Sequence, residues 1–239
     1  MGNLKNTQSS IGLGILTCLG LLLLGIQIKS GLTNISDDKR VVSVRGLSER
    51  IVSANKVTWP IVNKEVGNDL TSIYQRIENT NNLILKFLTD NGIAGDEISI
   101  DAPSVIDMEA ERYVSPDVRF RYNVTNVIVV TSSNVEKVNE LIKRQSELLK
   151  QGIAILAGDY QYQTVYEYTA LNDIKPEMIA EATENAREAA KKFAEDSDSK
   201  LGKIKTASQG QFTIEDRDQY TPFIKKIRVV SSVVYYLRD

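Results

Sequence analysis

Residues Ile11 to Ile28 read IGLGILTCLGLLLLGIQI, a run without charge or proline. Nothing later in the chain resembles it. As a helix rising about 1.5 Å per residue it spans roughly 27 Å, close to the roughly 30 Å hydrocarbon core of a bilayer. Ser9 and Ser10 precede it, and Lys29 and Ser30 follow, so polar groups meet the interface at both ends. The run assigns the rest of the chain to the side of a membrane.

Three origins compete for this run. A cleaved signal peptide needs a small-x-small site after the apolar core. Gly25, Ile26, Gln27, Ile28, Lys29, Ser30 and Gly31 supply no Ala-x-Ala. A lipoprotein needs its acylated Cys at the end of the run, whereas Cys18 follows Thr17 in the middle. A retained single-span anchor is the favoured reading. The start MGNLKNT misses a myristoylation signal because Asn6 takes the Ser/Thr position. Lys5 lies before the run and Lys29, Lys39 and Arg40 after it, so flanking charge does not set the orientation.

The remainder is ordinary globular material, long enough for one domain or two small lobes divided near Ser132. Net charge is −2, which argues against a nucleic-acid partner, whose binder normally shows a basic face. The one Cys sits in the apolar run and there is no His. Disulfides, thiol nucleophiles, Ser-His-Asp triads and His-containing zinc sites are thereby excluded from the rest.

Residues 1–10 are expected to form a cytoplasmic N-terminus, 11–28 a signal-anchor, 29–39 a linker and 40–239 the working domain. Val41, Val42 and Val44 begin a strand in which Gly46 suggests a bulge or turn. Ile51 to Val66 continues with β-branched residues, and Pro60 marks an edge or a bulge. Asn68 or Asp69 caps a helix to about Asn91, with Leu70, Ile73, Ile77, Ile84, Phe87 and Leu88 at helical spacing and Gly92 past its end.

Glu97 to Ile106 reads as a strand interrupted by Pro103, and Met108 to Asp117 as turn-like. Phe120, Tyr122, Val124, Ile128 and Val130 share one face of a half-buried strand. Asn134 caps a second helix that ends before Gly152, and Tyr160 to Leu171 follows as a tyrosine-rich strand. Asp173 or Lys175, with Pro176 in the first turn, opens a third helix to about Ser197. Its stripe is Ile179, Ala182, Ala186, Ala189, Ala190, Phe193 and Ala194, mostly alanine, which allows close approach to a sheet. Strands around Ile204 to Ile214 and Ile227 to Leu237 close the chain. The order ββ-α-ββ-α-β-α-ββ implies an α+β fold with mostly antiparallel or mixed sheets and helices on one face.

Ser197-Asp198-Ser199-Lys200 matches Ser-x-x-Lys. The serine follows a helix instead of opening one, and no Lys-Thr-Gly lies downstream, so a solvated helix end is the expected reading. The groups Asp107, Glu109, Glu111 and Glu215, Asp216, Asp218 lack EF-hand spacing and read as surface loops. Lys225, Lys226 and Arg228 read as a solvated strand end. No phosphate-cradling glycine loop is present. No catalytic residue, metal ligand or cofactor is assigned. Tyr160, Tyr162, Tyr166 and Tyr168 would share one face if their strand runs unbroken, either as core packing or as a subunit interface.

Three segments together resemble the SIMPL-domain family of bacterial envelope proteins, whose members include periplasmic immunogenic and oxidative-stress-defence types. SVRGLSERIVSANKVTWPIV (Ser43 to Val62) resembles the family's opening strand pair, with Ala54-Asn55 where Pro-Asp is common. LILKFLTDNGIAGDEISIDAPSV (Leu83 to Val105) is similar to its helix end, Gly-Ile turn and next strand. AEATENAREAAKKFAEDSDSKLGKI (Ala180 to Ile204) and VVSSVVYYL (Val229 to Leu237) resemble its alanine-spaced helix, Leu-Gly turn and final strand. A frequent Gly-Tyr is Arg121-Tyr122 here. The resemblance implies a domain facing the periplasm or cell exterior, behind a signal peptide or an anchor in the cytoplasmic membrane. It implies homo-oligomeric assembly in some members and no established catalytic residue. The expectation is a non-enzymatic, membrane-anchored protein that assembles or binds a partner, in envelope or oxidative stress defence. A module binding a small envelope ligand, a glycan or lipid fragment, is the alternative.

Overall fold

The computed structural model describes residues 17–29, 40–110, 119–156 and 159–238. Helical residues 17–29 form α1. Strands β1 (Val41–Ser53) and β2 (Lys56–Gly67) follow, then helix α2 (Leu70–Asp90) and strands β3 (Ile98–Ile100), β4 (Ser104–Asp107) and β5 (Tyr122–Ser132). Helices α3 (Val135–Arg144) and α4 (Ser146–Lys150) precede β6 (Val165–Glu167) and α5 (Leu171–Asp196). Strands β7 (Lys200–Gln209), β8 (Thr213–Asp216) and β9 (Ile224–Arg238) complete the order. Among the described residues no helix is long and apolar enough to cross a membrane. Residues 11–16 of the apolar run lie outside the described residues.

The fold is α+β with antiparallel strand pairs. The expected order is corrected at three places. Pro103 lacks the N–H a ladder needs, and the single strand expected at Glu97 to Ile106 becomes β3 and β4 on either side of it. The second helix divides at Gln145, whose N–H bonds Ile142 O at 3.3 Å in a tighter turn. The strand expected at Ile204 to Ile214 divides at Gly210, so Glu215 and Asp216 fall at or beside the end of β8 and not in a loop.

The chain forms two compact units. The first comprises the described residues of Met1–Glu49, Ile174–Thr213 and Arg228–Asp239; the second comprises Arg50–Asp173 and Ile214–Ile227. Ser132 lies inside the second, at the end of β5.

In the second unit the sheet order is β3-β5-β2-β6, with β4 also on β5. β2 and β5 pair without a register break from Val57↔Ser132 to Gly67↔Tyr122. Pro60 therefore lies in an interior strand and at no bulge. β6 pairs only with Lys56 to Thr58, which spares Pro60 a ladder bond on that flank. The alternation expected of β5 holds for Val124, Ile128 and Val130, which are buried with Asn126 on that face; Tyr122 is half-buried, and Phe120 lies before the strand and is 41% exposed. Asp69 caps α2 by accepting from Ser72 N–H at 2.8 Å. Its buried stripe is Ile73, Ile77, Ile84, Phe87 and Leu88. Gly92 follows with φ +77°, the left-handed conformation that ends helices.

In the first unit β9 lies between β1 and β7. Burial alternates along β9, and Val44, Gly46 and Ser48 make the buried face of β1. Val44, Val233 and Tyr235 pack on Ala186 and Ala190 of α5. Gly46 makes no turn. It sits within β1, where an added Cβ would lie 1.9 Å from Ala182 O and 2.4 Å from Ala186 N. Glycine and the alanine stripe together let strand backbone and helix backbone nearly touch. Met178, Ala182, Ala186, Ala190 and Ala194 are buried, whereas Phe193 is 59% exposed and leaves the expected stripe. α5 also begins earlier than expected, so Pro176 stands inside it instead of in its first turn.

Candidate functional site

Turns that approach one another from distant parts of the chain can build a concave surface that no single segment reveals. Residues 53–55 at the end of β1 and in the β1–β2 turn, residues 133–136 and 139 in and before α3, and residues 223–224 at the start of β9 converge on a recess of about 800 Å³ in the second unit. The β1–β2 turn is fixed by Ala54 N–H donating to Phe223 O at 2.8 Å and Asn55 N–H donating to Glu167 O at 2.9 Å. The Asn55 side-chain oxygen accepts from Thr169 N–H at 2.8 Å and Thr169 Oγ1 at 3.1 Å. At α3, Ser132 Oγ accepts from Asn134 N–H at 3.0 Å, and Asn134 Oδ1 caps Lys137 N–H at 3.1 Å.

Phe223 reaches the recess from a loop held by Asp218. That carboxylate accepts from the N–H groups of Tyr220 (2.9 Å) and Thr221 (2.8 Å), from the Thr221 hydroxyl, and from Arg217 Nε at 3.0 Å. The Thr221 hydroxyl, then Arg217, hold the acid at about 2, below its ordinary 3.8. The Phe223 ring meets Tyr166 edge to face, with centroids 6.1 Å apart and planes at 65°. Tyr166 donates its hydroxyl to Asn139 Oδ1, and burial raises its pKa. Among the described residues lining the recess, Glu136 is the one charged group; Phe223, Val135, Ile224 and Ala54 supply its apolar surface.

The structure separates the tyrosines expected on one strand face. Tyr160 and Tyr162 lie in a 3-10 turn, Tyr166 in the three-residue β6, and Tyr168 beyond it. The expected strand from Tyr160 to Leu171 is short because the 3-10 turn Tyr160–Tyr162 and the start of α5 take its two ends. Tyr160 is 89% exposed, while Tyr162, Tyr166 and Tyr168 are half-buried.

The other candidates fall into structural roles. Ser197 Oγ donates to Ala194 O at 3.0 Å beyond α5, and Ser199 Oγ accepts from Arg40 at 2.9 Å. Asp107 and Glu109 pair with Arg121 at 2.8 and 3.3 Å; Glu111 lies outside the described residues. Lys225 is not a solvated strand end. It is buried and paired with Asp216. Among the described residues no cluster of acidic, Cys or His side chains could hold a metal ion.

A second depression, of about 390 Å³, is apolar and lies between α2 and the sheet edge, bordered by Leu70, Ile73, Tyr74, Ile77, Pro103 and Val105.

Comparison with known families matches residues 42–232 to the SIMPL family, described as a protein of unknown function (DUF541). Among curated proteins none matches the chain.

Proposed function

The chain belongs to the SIMPL family, and from that premise we propose that it is a non-enzymatic envelope protein. It is held by one N-terminal span in the cytoplasmic membrane, with residues 40–239 on the periplasmic or outer side. It works by homo-oligomeric assembly or partner binding, in envelope or oxidative stress defence, without cofactor or nucleic acid.

The observation that carries this reading is α1. Leu19, Leu21, Leu22, Leu23, Leu24, Ile26 and Ile28 are each more than half exposed, between 53% and 70%. Apolar area on every side of a helix is unfavourable in water and favourable in hydrocarbon. Assembly is supported by the apolar edge at β4, where Val105 is 49% and Ile106 42% exposed. The exposed Tyr160, with Tyr162 in the same turn, is the other candidate interface; tyrosine is enriched at such surfaces.

Intact-mass measurement on membrane-extracted protein tests the tether. A mass that retains residues 11–28 supports it, and a mass beginning near Lys29 overturns it. Light scattering on the detergent-solubilised full chain tests assembly, which a strict monomer at high concentration overturns.

A second reading, the binding of a small envelope ligand, is favoured by the recess between the β1–β2 turn and α3.

A further inference from the structure

We infer that the recess of the second unit is a binding site for a neutral saccharide. This rests on the second reading above and names its ligand class.

Asn55, Asn134 and Asn139 give the recess its amide groups. Asn55 Oδ1 is occupied by Thr169 N–H and Asn134 Oδ1 by Lys137 N–H. A backbone N–H only donates, so each carboxamide must turn its oxygen to the protein, leaving its Nδ2 donors for another partner. Asn139 pairs with the Tyr166 hydroxyl, a group that both donates and accepts, so its amide is held but not committed in the same way. All three residues line the recess. Two committed amides, Asn55 and Asn134, thus keep their Nδ2 donors for a ligand of the recess they line, with Asn139 and the hydroxyl-bearing Ser53 and Ser133 lining it too.

Glu136 supplies a carboxylate acceptor on the same surface. A ligand that satisfies both must accept from amides and donate to a carboxylate. A sugar hydroxyl does both with one atom. Phe223 gives the surface an apolar ring, a partner for the C–H face of a pyranose. An anionic ligand fits poorly, because Glu136 would repel it and no lysine or arginine is among the described lining residues. A bare cation fits poorly, because the oxygens of Asn55 and Asn134 are already committed to the protein. The volume of about 800 Å³ lies within the range of small-molecule sites, roughly 300–1,000 Å³.

The test is saturation-transfer NMR on the full chain in lauryldimethylamine oxide, a detergent with no sugar headgroup. Maltotriose, cellotriose and diacetylchitobiose form the saccharide arm; inorganic phosphate and a short-chain monoacylglycerol form the others. Expected is transfer to at least one saccharide, weakened about tenfold or more by Ser133→Trp, which fills the exposed rim, and by Glu136→Gln. Saccharide binding that both variants leave unchanged places the sugar elsewhere and overturns the inference. Monoacylglycerol bound at the recess, with the saccharides silent, overturns the saccharide and preserves the second reading. Preferred binding of phosphate overturns the saccharide too. Silence of every probe overturns both. Unchanged amide NMR spectra away from the recess establish that each variant is folded.

Discussion

Asn126 is fully buried on the core face of β5, directly opposite Asn63 of β2. Its Nδ2 donates to Asn63 Oδ1 at 2.8 Å and to Asn81 Oδ1 at 2.6 Å. A buried amide left without its partner carries the full desolvation penalty. Asn126→Ala strands two acceptors together and is expected to lower stability by about 1–3 kcal/mol, read from urea unfolding monitored at Trp59. Asp218 makes a pH-dependent contribution. Its folded pKa of about 2 is depressed from 3.8, so its stabilisation is complete above the unfolded value and vanishes as pH falls through the folded one. The carboxyl carbon of Asp218 should titrate near pH 2. The melting-temperature gap between wild type and Asp218→Asn should therefore narrow as the pH falls from about 4 toward about 2.

At the scale of elements, the contact of β1 with α5 depends on one absent side chain. A Cβ at Gly46 would stand 1.9 Å from Ala182 O, and a backbone carbonyl inside a helix cannot rotate away as a side chain does. Gly46→Ala should destabilise by about 1–3 kcal/mol or more, seen as a lower thermal midpoint. Gly95→Ala, with no atom within 4 Å of its added Cβ, should change it little. The periodic elements are legible in sequence because one buried face imposes a period: the α2 isoleucines, the β5 alternation and the alanines of α5. Gly46 is visible in sequence, but its meaning is not, since a bulge and a close helix contact both call for glycine. Phe193 has the right spacing for the stripe and the wrong volume for an alanine interface. The recess is the least legible feature. Asn134 is readable as a cap, yet Asn55, Asn139 and Phe223 acquire meaning only when β2, α3 and the Asp218 loop bring them together. The four tyrosines mislead for the converse reason, because even spacing implies one face only while the backbone stays extended.

For the whole molecule, the question is which surface a second copy would meet. An open sheet edge offers unpaired backbone groups, and proteins guard such edges with bulges and charge. β7 carries register shifts between Leu201 and Ile204 and between Ile204 and Thr206, which disrupt its edge as a template. β4 is paired to β5 from Ser104↔Thr125 to Asp107↔Tyr122 without a shift; it exposes Val105 beside Leu70 and Tyr74, and Ile106 on its other face. An apolar, regular edge next to an apolar groove is the better surface for self-association. Val105→Lys places a charge there without entering the core, since Val105 is 49% exposed. Light scattering on the solubilised full chain should show a smaller particle for Val105→Lys, with membrane retention unchanged, because α1 and β4 serve separate tasks. If Tyr160→Ala reduces the particle and Val105→Lys does not, assembly runs instead through the tyrosine turn.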